Sequence, residues 1–146
     1  MRPIPKPLKH PITVLLAEDQ AIVRQALLAL LTLEDDLRVV GQAANGREAV
    51  ALAGTLSPDV VLMDISMPLL NGLEAMQQIL QARPATQVIM LSSHSEDFYI
   101  KQARALGAAG YVVKQTSVHL LPQTIRKVHR KKAFFNPRHA VISTEP

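Results

Sequence analysis

Five times along this chain, a short apolar run rich in branched residues gives way to a segment with helical apolar spacing. That alternation constrains the fold more than any other feature. Ile12-Thr-Val-Leu-Leu-Ala17 suits a parallel strand buried on both faces. Val23, Ala26, Leu27, Leu30 and Leu31 then recur at the spacing of one helix face. Leu37-Arg-Val-Val-Gly41, Asp59-Val-Val-Leu-Met63, Gln87-Val-Ile-Met-Leu91 and Gly110-Tyr-Val-Val113 repeat the strand character. Between them, Asn45 reads as the cap of a helix carrying Ala49, Val50 and Ala53, with Glu48 completing a capping box. Gly72 to Arg83 carries Leu73, Met76, Ile79 and Leu80 on one face and stops at Pro84, while Ser95 to Leu106 ends near Gly107. A last helix carries Leu121, Ile125 and Val128. Pro122 predicts a late start or a kink there, because inside a helix it removes a hydrogen bond and crowds the preceding turn.

Five β-α units with short links imply a doubly wound α/β fold. The expected sheet is five-stranded and parallel, in the order 2-1-3-4-5, with helices on both faces. Such a sheet binds its ligands outside the carboxyl ends of the strands, at the switch point between strands 1 and 3. The 146 residues fit one domain. Residues 12–131 are expected to form it, after a basic, Pro-rich leader over 1–11 and before a tail or linker over 132–146. With no cysteine, disulfides, thiolate metal sites and thiol nucleophiles are all excluded. Charge or proline interrupts every apolar run well short of a membrane span, and the first residues lack the apolar core of a signal peptide. A cytoplasmic protein away from membranes is the expectation.

The formal charge of +4 suggests nucleic-acid binding until it is mapped. Between positions 11 and 125, seven basic residues face eleven acids, so the body is acidic and the ends are basic. A basic binding face on the globular core is therefore disfavoured. The run Arg126 to Lys132 reads first as a solvated helix end whose cations suit the negative pole of the helix dipole.

The strand ends carry the chemistry. Glu18 and Asp19 follow strand 1, Asp64 follows strand 3, Ser92 follows strand 4 and Lys114 follows strand 5. Alone, each has a plain reading: a cap or turn acid, an unremarked serine, a solvated lysine. Together they converge. Carboxylates about 4 Å apart repel by roughly 4 kcal/mol at an effective dielectric near 20. Lys114 alone is too little to offset three of them. A hard divalent cation such as Mg²⁺, which takes carboxylates, waters and phosphate oxygens, resolves the conflict. Carboxylates, a cation and a fixed lysine are also the parts needed to pass a phosphoryl group to an aspartate.

In Leu-Leu-Ala-Glu18-Asp19, Asp59-Val-Val-Leu-Met-Asp64-Ile-Ser-Met-Pro68, Asn71-Gly-Leu-Glu74, Val-Ile-Met-Leu-Ser92 and Gly107-Ala-Ala-Gly-Tyr111-Val-Val-Lys114, the chain resembles a response-regulator receiver domain of the CheY-like fold. The resemblance covers about residues 11 to 131. It implies that Asp64 accepts a phosphoryl group from a sensor histidine kinase, as a signalling phosphoacceptor rather than an enzyme with turnover. It also implies Mg²⁺ on Asp19, Asp64 and the Ser66 backbone carbonyl, with Glu18 acting through water. Ser92 and Lys114 would contact the phosphoryl oxygens, and Tyr111 would rotate inward once they move. The fourth helix, fifth strand and fifth helix would then repack, with a homodimer as one outcome. Ser66 and His94 occupy positions that tune dephosphorylation in this family. Lys114 is followed by Gln115 where many receivers have proline, so a trans bond is expected there. The run is most like the NarL/LuxR branch, whose DNA-binding output domain would lie outside this sequence.

Three other readings stay open at this point. A Mg²⁺-dependent hydrolase with an aspartyl-phosphate intermediate wants a second acid two places after the nucleophile, where Ser66 stands. A flavodoxin-like binder wants a hydroxyl-rich loop after strand 1, where Glu18 and Asp19 would repel phosphate. A pure interaction module would keep the pocket without using it.

Overall fold

A computed structural model describes residues 10–130 and the backbone of 134–135. The expected leader and tail lie almost wholly outside those residues. The elements run β1 (Ile12–Ala17), α1 (Ala21–Thr32), β2 (Leu37–Ala43), α2 (Gly46–Leu56), β3 (Val60–Asp64), α3 (Gly72–Ala82), β4 (Gln87–Ser92), α4 (Asp97–Ala105), β5 (Gly110–Val113), α5 (Lys114–Ser117), α6 (Leu121–His129) and β6 (Phe134–Phe135). The sheet order is β2-β1-β3-β4-β5-β6, with every pairing parallel. The five-stranded arrangement is the expected one, and the two-residue β6 extends it beyond Gly110 and Tyr111.

Alternation along each strand divides the core in two. Val14, Leu16, Val60, Leu62, Ile89, Leu91 and Val112 face α1 and α6, where Leu27, Leu31, Leu121, Ile125 and Val128 meet them. Leu15, Ala17, Val61, Met63, Val88, Met90, Tyr111 and Val113 face α2, α3 and α4, where Ala49, Ala53, Ala75, Met76, Ile79 and Ile100 pack. Small residues on α2 allow it to lie close to the sheet. At about 25 cal/mol per Å² of apolar surface, these two layers supply the main drive to fold.

Several local expectations are corrected. On α1 only Leu27 and Leu31 are buried; Val23 and Leu30 are half-buried and Ala26 is exposed, because no element among the described residues covers that side of the helix. The fourth helix starts at Asp97 rather than Ser95, since the backbone before it is held in a turn by Ser92. In the α2 cap, Asn45 Oδ1 accepts from the Glu48 amide, but Glu48 Oε1 accepts from the Ala44 amide rather than that of Asn45. The last helix is broken in three. Lys114 opens α5 directly, a 3₁₀ turn spans Val118–Leu120, and α6 begins with Pro122 in its first turn, where no hydrogen bond is lost. A proline at 115 would have pushed Lys114 out of the helical region. Gln115 leaves it free to start α5, and no cis peptide bond occurs among the described residues.

Gly72 fixes the join between β3 and α3. A Cβ on it would lie 2.1 Å from the Asp64 carbonyl oxygen, while its amide donates to Ile65 O at 2.8 Å. Only glycine lets α3 start so close to the end of β3. Asn71 caps that start through the Glu74 amide at 3.0 Å.

Candidate functional site

At the carboxyl ends of the strands, Glu18, Asp19, Asp64 and Lys114 come together, and Ser92 ends the neighbouring β4. Glu18 leaves β1 with its amide donating to Ala43 O at 3.0 Å, which ties the β1–α1 loop to β2. Arg24, one turn into α1, donates from Nη1 to the Glu18 carbonyl at 2.6 Å. The Gln20 amide donates to Glu18 Oε2 at 3.1 Å. Asp64 ends β3, and its Oδ1 accepts from the Ser66 amide at 3.3 Å, a long bond.

Charge in this cluster is unevenly matched. Glu18 is 0% and Asp64 5% exposed, whereas Asp19 is exposed. Lys114 Nζ lies 2.6 Å from Glu18 Oε1 and 3.3 Å from Asp64 Oδ2. The first contact is at ion-pair distance but outside hydrogen-bond geometry, which leaves buried Oε1 without a well-directed donor. Glu18, Asp19 and Asp64 each offer an oxygen, and these oxygens lie within 4.8 Å of one another. Burial pushes the Asp64 carboxyl up, Lys114 pulls it down and the Glu18 charge pushes it up again, leaving it at about 6. Lys114 is displaced too. Burial works to lower its ammonium, but Glu18 and Asp64 outweigh that and hold it above the usual lysine value. Three hard oxygen donors, one of them from an underdirected buried carboxylate, fit a small divalent cation.

The residues expected to switch sit beside the cluster. Ser92 is buried, and its Oγ accepts from the His94 amide at 3.0 Å. Tyr111 is already inside: it is 1% exposed, and its hydroxyl donates to the His94 carbonyl at 2.7 Å. This structure thus holds Tyr111 in the inward position. Burial raises the pKa of its hydroxyl against the opposing influence of Ser92. Ser66 is exposed at the pocket mouth. His94 is half-buried, with its ring stacked on Tyr99.

Sequence reasoning missed three features. The Arg24 bond to a main-chain carbonyl leaves no trace in residue spacing. The His94–Tyr99 stack joins a loop to a helix and has no period. The third is a groove of about 660 Å³ running from Asp19, Asp64 and Lys114 along Ile22, Val23, Ala26 and Leu30 of α1. The one available signal for it was the breadth of the apolar face on α1, wider than one packing partner needs. Elsewhere, Arg126 of the basic C-terminal run is taken up by Asp36 and Glu34. No helix among the described residues is long and apolar enough to cross a membrane.

Residues 14–126 match the family model of the response regulator receiver domain. The transcriptional regulatory protein LnrK of Bacillus subtilis is 39% identical over 118 residues, 81% of this chain and 54% of that protein. The chain thus spans about half the length of the curated relatives it matches. Among solved structures, a LuxR-family two-component response regulator from Aurantimonas sp. superposes with a TM-score of 0.82 at 28% identity, over 87% of this chain and 90% of that one. The CheX–CheY complex with BeF3 and Mg²⁺ from Borrelia burgdorferi gives 0.75 at 26% identity, over 81% and 89%. A doubly wound sheet carrying acids, a hydroxyl and a lysine at matching strand ends, together with these likenesses, places the chain in the response regulator receiver domain family of two-component systems, alongside LuxR-type members.

Proposed function

We propose that Asp64 is the phosphoacceptor and that a phosphohistidine on a sensor kinase is its donor. The observation carrying this reading is a buried aspartate at the end of β3, held by two 3.3 Å contacts and pushed up to about 6. It is mostly ionised near neutral pH yet weakly engaged, as a nucleophile should be. One carboxylate oxygen attacks phosphorus, the nitrogen–phosphorus bond breaks, and the histidine nitrogen keeps the electron pair. Lys114, already between Glu18 and Asp64, moves its charge onto the incoming oxygens. Ser92 donates its hydroxyl proton to one of them.

Asp19, Asp64 and the Ser66 carbonyl would hold Mg²⁺, with Glu18 reaching it through water. The ion would neutralise charge on the phosphoryl oxygens; the Borrelia CheY complex contains Mg²⁺ in a related fold. The apolar groove along α1 opens onto Asp64, so the kinase segment bearing the phosphohistidine has a surface beside the acceptor. Ser66 and His94 set the rate of self-dephosphorylation. Output passes through the face of α4, β5 and α6, with a homodimer on phosphorylation and DNA contact through a separate domain. Relatives such as LnrK carry the name of transcriptional regulators, which supports that output.

Intact mass after incubation with Mg²⁺ and acetyl phosphate tests the reading. Wild type should gain one phosphoryl group and Asp64→Ala none. Equal labelling of both would overturn it.

A further inference from the structure

His94 is held by all three of its handles. Its amide donates to Ser92 Oγ at 3.0 Å and its carbonyl accepts from the Tyr111 hydroxyl at 2.7 Å. Its ring stacks on Tyr99, with centroids 4.3 Å apart and planes 23° from parallel. Tyr99 in turn packs on the core and meets Phe98 edge-on at 5.4 Å, and Phe98 is 68% exposed. Ser93, Ser95 and Glu96, the other residues between β4 and α4, are exposed. The stack fastens this loop to the first turn of α4, alongside a 3.7 Å contact of His94 Nδ1 with Glu96 Oε1 at the helix cap.

We infer that Tyr99 is a positioning residue: by stacking on His94 it ties the Ser92–His94–Tyr111 hydrogen bonds to α4, and so carries the state of Asp64 to the exposed Phe98. The inference rests on the phosphoacceptor reading. A serine hydroxyl has one proton to give and two lone pairs to receive. Ser92 can therefore donate to a phosphoryl oxygen while still accepting from the His94 amide. Any movement of Oγ toward Asp64 then draws the His94 backbone with it. The ring slides on Tyr99, and stacked rings resist sliding unevenly, since an offset arrangement is favoured over other placements. Tyr99 lies in the first turn of α4, so the displacement reaches Phe98 next to it. Without an aromatic ring at 99, the loop would move and pass less of its displacement to α4. Spatial continuity alone does not establish coupling, so the test must measure transmission.

Amide NMR shifts on adding beryllofluoride with Mg²⁺ read each stage separately, and intact mass with acetyl phosphate reads the acceptor. In wild type, the amides of Ser92, His94 and Phe98 should all shift. In Tyr99→Leu, labelling of Asp64 should persist and the Ser92 and His94 amides should still shift, while the Phe98 shift falls about twofold or more. Tyr99→Phe keeps the ring and should behave as wild type. Should Tyr99→Leu lose its fold, His94→Leu removes the stack from the other side and should show the same loss at Phe98. An undiminished Phe98 shift in the leucine variants, or a loss in Tyr99→Phe equal to that in Tyr99→Leu, overturns the inference. Labelled wild type whose Phe98 does not respond also overturns it and leaves Asp64 as acceptor; absence of labelling in wild type sinks the acceptor instead.

Discussion

The two ends of the sheet treat carboxylates in opposite ways. At the amino end, Asp36 receives Arg126 Nε at 2.7 Å and Nη2 at 2.9 Å, and Glu34 shares the same guanidinium. Arg126 holds the Asp36 carboxyl below its ordinary value against the pull of burial. Asp59, at the same end, accepts from the Thr13 amide at 2.9 Å and its hydroxyl at 3.1 Å. At the carboxyl end, Glu18 and Asp64 share one ammonium beside a third acid, Asp19, and Asp64 is displaced upward to about 6. The same functional group meets well-directed donors at one end and is left short of them at the other, where the proposed phosphoacceptor lies.

That contrast can be broken most directly at Arg126. Arg126→Ala should cost about 2 kcal/mol in urea unfolding near neutral pH, because its hydrogen bonds to Asp36 are bidentate and less than a third exposed. The folded Asp36 carboxyl sits below its unfolded value, so this stability is present above pH 3.8 and is lost as pH falls through the folded value. A loss under about 0.5 kcal/mol would place the pair with ordinary surface ion pairs and erase the distinction.

Asp64→Asn should have the opposite sign. A raised carboxyl favours the folded state below the unfolded value of 3.8 and loses that benefit as pH rises through about 6. Above that range and without Mg²⁺, the variant should be more stable than wild type by on the order of 1–2 kcal/mol, with the gain fading toward pH 4. Mg²⁺ should then raise the melting temperature of wild type and leave the variant unmoved. Destabilisation by Asp64→Asn near neutral pH would show that the acid cluster is not strained.

The smallest effect sharpens the picture of the carboxyl end. Leu69, in the loop between Asp64 and α3, has φ of 69° and is mostly exposed. Leu69→Gly removes the left-handed strain and little packing, so it should gain about 0.5 kcal/mol in the same urea experiment. A loss would mean that the leucine is held in place by contacts worth more than its backbone strain.

Much of the site was legible because chain order and handedness do the placing. Glu18, Asp19, Asp64, Ser92 and Lys114 each follow a recognisable apolar run, and the right-handed crossovers of a parallel sheet bring those ends to one side. The continuous apolar runs likewise foretold strands covered on both faces. Less legible was everything joined across sequence. Arg126 and Asp36 are 90 positions apart, and no local pattern pairs them. The apolar stripe of α1 told which residues favour burial, but Ala26 is exposed and Leu30 only half-buried, because no element among the described residues lies over that side of the helix.

The sequence by itself determined the order of strands, the faces they bury and the set of charged groups at one edge. These follow from side-chain period and backbone chirality, which are local. Only the tertiary structure decided that Tyr111 lies inside with its hydroxyl on His94, and that Lys114 sits nearer Glu18 than Asp64. It likewise decided that the His94 ring rests on Tyr99. Such choices turn on a few tenths of an ångström in side-chain placement, set by how separate elements pack rather than by any one of them.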